Sequence, residues 1–260
     1  MTADGSRPSG QRHIGPTQDE QLLVAPVAAP DRRAALSSDP WRVLRILGEF
    51  VEGFDALKNV SNGVTIFGSA RTKRDDPNYE HCVQTARRLA EEGFTVITGG
   101  GPGIMEAGNR GAKLGDGHSI GLNIELPFEQ ESNEYVDTSM HFRYFFVRKT
   151  MFVKYSIGFC VFPGGFGTMD ELFESLTLIQ TGKIKHFPVV LFNTRYWGGL
   201  MDWMRETMAA ERKIELGDLD LFRVTDDPEE AVQALVAARE RLVALAAEAR
   251  ERSHGHRGIF

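Results

Sequence analysis

Short apolar runs rich in β-branched residues alternate with stretches of helical spacing, and this alternation constrains the chain more than any other feature. The runs are GVTIF (63–67), FTVIT (94–98), HSIGLNIEL (118–126), IGFCVF (157–162) and FPVVLF (187–192). Between them, residues 79–92, 169–180 and 197–210 read as helices, with Gly93 ending the first. Upstream, DPWRVLRILGEFVEGFDAL sets Val43, Leu44, Leu47, Val51 and Phe54 on one helical stripe. MHFRYFFVRKTMFVKYS (140–156) begins extended and turns helical, and a long final helix starts at Asp226, Asp227 and Pro228. Strands that are apolar throughout, each followed by a helix, indicate βαβ units whose sheet is covered on both faces. The expected fold is therefore α/β: a Rossmann-like, three-layer arrangement with a mostly parallel sheet and helices on both faces. In such sheets ligands bind beyond the C-terminal ends of the strands.

Residues 1–38 are rich in Pro, Gly, Ser and Ala without a sustained period, a composition that buries too little surface to repay ordering. They are expected to form a disordered N-terminal tail, with a single domain over 39–252 and a flexible C-terminal tail over 253–260. A formal net charge of −6 argues against nucleic acid as a partner. No apolar run is long enough to span a bilayer, and the N-terminus lacks the layout of a secretory signal, so the expected location is cytoplasmic. Cys82 and Cys160 form neither a disulfide framework nor a metal-ligand spacing, and His254 and His256 read as a solvated end. No metal is expected.

Two glycine loops leave strands and open helices. In ITGGGPGIMEAGNRGA, Gly99, Gly100, Gly101 and Gly103 permit a tight turn and close approach to a ligand. The loop fails the dinucleotide fingerprint, because Glu106 stands where G-x-G-x-x-G read from Gly101 needs its third glycine. A tight strand-to-helix turn needing glycine for geometry alone is the competing reading. In VFPGGFGTMDE (161–171), Thr168 is placed to cap the following helix or to donate to a phosphate oxygen. Two such loops on crossover units of one sheet converge on one edge and suit a single phosphate better than two dinucleotides.

Directly behind the second loop stand Asp170 and Glu171, an odd place for negative charge beside a phosphate. The helix dipole favours acids in a first turn, which accounts for one of them. Successive helical positions diverge by about 100°, so only one can face the ligand. A carboxylate beside a sugar phosphate has a chemical use: glycosidic bonds break through an oxocarbenium-like transition state that it can stabilise, attack, or serve by activating water. In FRYFFVRKTMF, Arg143, Arg148 and Lys149 interrupt an aromatic segment. They either snorkel from it or meet a phosphate or a developing base anion.

GGGPGIMEA, VRK and above all PGGFGTMDE resemble the LOG (lonely guy) family, often labelled lysine decarboxylase-like. Pro163, Gly164, Gly165, Gly167, Thr168 and Glu171 match the signature P-G-G-x-G-T-x-x-E at every defined position. The resemblance implies a phosphoribohydrolase that cleaves the N-glycosidic bond of a cytokinin riboside 5′-monophosphate or AMP, without metal or organic cofactor. It implies Arg148 and Glu171 as catalytic residues. It also implies substrate contacts from Gly100, Gly101, Gly103, Lys149, Gly164, Gly165, Phe166, Gly167, Thr168, Asp170 and Thr177, with Glu129 a looser match. Family members assemble at least as homodimers, and the longer bacterial forms, which FGSAR and the extended N-terminus suggest here, as hexamers. The alternative is a non-catalytic nucleotide or molybdenum-cofactor carrier of the same fold. A pyridoxal enzyme is disfavoured, since no lysine sits in a convincing Schiff-base motif.

Overall fold

In the computed structural model, residues 16–23, 32–127 and 132–255 are described. Seven strands form one sheet: β1 (Gly63–Phe67), β2 (Thr95–Thr98), β3 (Ser119–Ile124), β4 (Thr138–Phe142), β5 (Ser156–Val161), β6 (Val189–Phe192) and β7 (Phe222–Thr225). Their order is β4-β3-β2-β1-β5-β6-β7, and every adjacent pair is parallel. The helices are α1 (Gln18–Leu23), α2 (Arg32–Ala56), α3 (Pro77–Glu91), α4 (Ile104–Leu114), α5 (Phe145–Tyr155), α6 (Phe166–Gln180), α7 (Thr194–Trp203) and α8 (Pro228–Gly255). A π-helical turn continues α7 over Met204–Ala209, and a 3-10 helix precedes β7.

Successive strand residues feed opposite faces of the sheet. Ile97, Phe159, Val161, Val189 and Leu191 join a cluster with Val147, Met151, Leu172, Leu176 and Trp197 of α5, α6 and α7. Their neighbours Val96, Cys160, Phe162, Val190 and Phe192 face Tyr79, Val83, Ile104, Ala231 and Leu235 of α3, α4 and α8. The chain builds outward from β1 to β4, then returns to lay β5 against the other side of β1. The crevice beyond β1 and β5 is the point where strand order reverses, the place open α/β sheets reserve for ligands.

The structure changes the expected tails and adds to the expected elements. Residues 18–23, assigned to a tail, form α1, held where the Gln18 N–H donates to Glu125 Oε2 (3.0 Å) and the Phe145 N–H donates to Asp19 Oδ2 (3.0 Å). Likewise α2 begins at Arg32 and α8 reaches Gly255. The rest of the expected tails, residues 1–15, 24–31 and 256–260, lies outside the described residues. The strand β7 was not anticipated: its Phe-Arg-Val-Thr alternation is short, and it gains its place by pairing with β6. The α2 stripe is helical as expected, and Val43, Leu44, Leu47 and Val51 on it are exposed.

Candidate functional site

Three loops at the C-terminal ends of β1, β2 and β5 are stitched together by one residue. The Ser69 N–H donates to Pro163 O (3.0 Å), and Ser69 O accepts from the Ile104 N–H (3.0 Å), so the first loop ties both glycine loops together. Gly103, at φ +68°, lies so close beneath that a Cβ would collide with Ser69 O and Ala70. Asn133 then fastens the second loop, its Nδ2 donating to Gly100 O (3.1 Å), Gly101 O (3.0 Å) and Asn109 Oδ1 (2.9 Å). These loops, α5 and the start of α6 enclose a cavity of about 790 Å³.

Of the residues implied as catalytic or substrate-contacting, seven line that cavity: Arg148, Gly164, Gly165, Phe166, Gly167, Thr168 and Glu171. From the other glycine loop Gly99 and Met105 also line it; Gly100, Gly101 and Gly103 form the turn behind. Asp170 and Thr177 line a shallower hollow of about 510 Å³ along α6, which shares Phe166 and Met169 with the cavity. Lys149 Nζ pairs with Asp170 Oδ1 (3.0 Å) and Glu174 Oε2 (3.0 Å). Burial lowers the Lys149 pKa, but those two carboxylates more than offset it and the net direction is upward. Arg143 turns away, its N–H and guanidinium donating to buried Glu49. Glu129 lies outside the described residues.

Glu106, which spoiled the dinucleotide fingerprint, has a structural task. Its Oε1 accepts from Arg74 Nε (2.7 Å) and Tyr79 OH (2.8 Å), tying α4 to the β1–α3 connection.

Glu171 and Arg148 are the electrostatic centre. Glu171 is only 4% exposed, and its Oε2 has no hydrogen-bond partner among the described residues. Burial pushes its pKa up to about 7, and the opposing pull of Arg148 and Lys149 is too weak to prevent this. The Arg148 guanidinium lies over the rings of Phe145 (5.2 Å) and Phe152 (5.4 Å), and its Nη1 reaches Leu122 O at 3.5 Å. Contacts of this kind contribute from about 0.5–1 kcal/mol when exposed to about 2 kcal/mol or more when desolvated. Its Nε is likewise buried without a partner among the described residues, and burial pulls its pKa down against the carboxylates of Glu171, Asp170 and Asp19. A buried carboxyl and a half-buried guanidinium, each with one buried atom unbonded among the described residues, thus share one cavity. Because burying unpaired polar atoms is costly, such an arrangement points to a ligand that completes them.

Sequence reasoning missed several lining residues. Phe145 and Phe152 were visible at i−3 and i+4 from Arg148, the spacing that sets helical neighbours together. Ser69 and Arg71 stand in FGSAR, which carried no chemical signature. Tyr196, whose OH donates to Gly164 O (2.6 Å), comes from α7 and no local pattern announces it. Among the described residues, no group of three His, Cys, Asp or Glu could hold a metal ion.

A family model described as "Possible lysine decarboxylase" matches residues 105–235, about half of the chain. A "Probable cytokinin riboside 5′-monophosphate phosphoribohydrolase" of Oryza sativa subsp. japonica is 36% identical over 118 residues, covering 43% of this chain and 46% of the relative. One of the same name from Arabidopsis thaliana is 33% identical over 113 residues, covering 43% of this chain and 56% of the relative. The match thus spans about half the length of these relatives. Among solved structures, a molybdenum cofactor binding protein from Rippkaea orientalis has a TM-score of 0.52 at 21% identity, over 68% of this chain and 96% of that one. The molybdenum cofactor carrier protein of Chlamydomonas reinhardtii has a TM-score of 0.51 at 21% identity, over 69% and 99%. At this identity the likeness establishes the shared fold.

Proposed function

The chain belongs to the LOG family, the family described as "Possible lysine decarboxylase", and from that premise we propose that it hydrolyses the N-glycosidic bond of a purine riboside 5′-monophosphate. AMP and the N6-substituted cytokinin nucleotides are the substrates considered, and free base and ribose 5-phosphate are the products. The observation that carries the reading is the presence on one cavity of Glu171 Oε2 and Arg148 Nε, two buried atoms with no partner among the described residues.

The 5′-phosphate belongs at the first turn of α6. Thr168 and Met169 N–H groups both donate to Gly165 O, and the preceding amides, with no intrahelical acceptor, are free to meet an anion. Glu171, further along the same helix, then faces the anomeric carbon. As the C1′–N bond breaks, its electron pair leaves with the base, and Arg148 offsets the negative charge that develops there. Glu171 acts as nucleophile or as the base that activates water; either way a new C1′–O bond forms and the water's proton ends on the base. A carboxyl with pKa about 7 is well matched to proton transfer at neutral pH.

No lysine lines the cavity among the described residues, and Lys149 is held by two carboxylates, which disfavours the Schiff-base chemistry that the family description suggests. A homo-oligomer in the cytoplasm completes the proposal. No helix among the described residues is long and apolar enough to cross a membrane, and the exposed α2 stripe supplies a surface that a second copy could cover. Incubation with AMP, followed by chromatography for adenine, tests the reading. Free adenine supports it; tight AMP binding with no adenine favours a carrier instead.

A further inference from the structure

The helix that carries Arg148 and Lys149 begins poorly. Its N-cap, Tyr144, is extended and makes no side-chain capping bond. The cap comes from far away in sequence: Asp19 of α1, 126 positions upstream, accepts the Phe145 N–H at 3.0 Å. Phe145 is also one of the two rings beneath the Arg148 guanidinium. The Arg148 N–H makes the first backbone bond of the helix, to Tyr144 O at 3.3 Å. Asp19 therefore fixes the turn from which the arginine projects, and its charge acts on Arg148 in the same direction as that of Glu171.

The segment holding Asp19 is anchored at three further places. The Gln18 N–H donates to Glu125 Oε2 (3.0 Å), just past β3. Arg45 Nη1 donates to Gln18 Oε1 (2.6 Å), tying α1 to α2. Leu22 packs on the cluster that contains Val147 and Met151 of α5. These bonds reach Glu125, between the cavity-lining Ile124 and Leu126, so α1 braces two walls of the cavity at once.

We propose that Asp19 is a positioning residue for Arg148, and that α1 is a strap by which the N-terminal segment holds the active cavity in its working shape. The inference rests on the hydrolase reading, and it adds a residue outside the LOG signature to the machinery. Asp19 touches no substrate; it acts through the first turn of α5.

The test compares Asp19→Ala and Asp19→Asn in the full chain. Asparagine is as good a helix cap as aspartate, whereas alanine is a poor one. Asp19→Ala is expected to lower kcat for AMP by about 5- to 10-fold, the size of a lost cap expressed at the transition state, with KM changed less than twofold. Asp19→Asn is expected to restore at least half of that loss. Equal kcat in Asp19→Ala and wild type overturns the proposal, as does a loss in Asp19→Ala confined to KM. Hydrogen exchange at the Phe145 amide provides a readout independent of turnover and should speed up in Asp19→Ala. If wild type releases no adenine, the hydrolase reading fails by itself, and unchanged exchange at Phe145 then separately overturns the strap.

Discussion

Glu171 is held in a state that is poor for folding and good for chemistry. Its pKa is about 7 in the fold and 4.5 ordinarily, so the folded chain binds its proton more tightly than the unfolded chain. Its contribution to stability is fully present below about pH 4.5 and is lost as pH rises through about 7. Glu171→Gln removes the titration. Thermal or denaturant unfolding should find this variant about 1–3 kcal/mol more stable than wild type at pH 8, with the two converging near pH 4. The same ionisation should govern activity: kcat/KM for AMP rises with pH through an apparent pKa near 7 and then levels, because the carboxylate is the working form. A limb near pH 4–5 would mean that the buried carboxyl is not the group being read. Arg148 faces the mirror problem, half-buried against two rings with a buried Nε that has no partner among the described residues. A lysine there cannot reproduce the planar stack, so Arg148→Lys should cost activity although it conserves charge.

The glycines of the two loops have different tasks, and substitution separates them. At Gly103 a side chain meets both a left-handed backbone (φ +68°) and the Ser69 carbonyl, so Gly103→Ala should destabilise the fold by about 1–3 kcal/mol. At Gly165 a Cβ meets nothing within 4 Å among the described residues, and φ is −90°. Gly165→Ala should therefore keep wild-type stability while raising KM for AMP, because the added methyl would stand where the proposed function seats the phosphate. Loss of stability at Gly165 would contradict this placement. The elements were unevenly legible in the sequence. β1, β2, β3, β5 and β6 are apolar and β-branched because both faces of the sheet are covered, and that run is readable without neighbours. β7 carries an exposed Arg223 and depends on β6 for its identity. The PGGFGTMDE residues were readable as a site because they are contiguous and all of those named but Pro163 and Asp170 line one cavity. Ser69, Tyr196 and Asp19 were not, since each acquires its role from a partner more than 30 positions away. The GGGPG loop lay between: its glycines were evident, but only the bonds from Asn133 to Gly100 and Gly101 and the close approach of Gly103 to Ser69 reveal that these three build the turn while Gly99 faces the cavity.

Across the molecule, the reversal of strand order beyond β1 and β5 brings all of this to one crevice. The face of α2 away from the core is the least settled surface in isolation, with Trp41 74% exposed alongside Leu44, Leu47 and Val51. Under the proposed homo-oligomer, Leu47→Glu should shift the molar mass measured by light scattering toward the single chain while leaving the chain folded. A wild-type protein that already runs as a monomer would remove the partner from the account. The central claim is hydrolysis of a nucleotide by Glu171 within the LOG fold. Its most direct measurement is adenine and ribose 5-phosphate released from AMP at pH 7.5 by wild type and by Glu171→Gln. The account predicts equimolar products from wild type and a rate about 10²- to 10⁴-fold lower in the variant, with AMP still bound. Equal rates in the two proteins, or AMP bound by both and cleaved by neither, would contradict it.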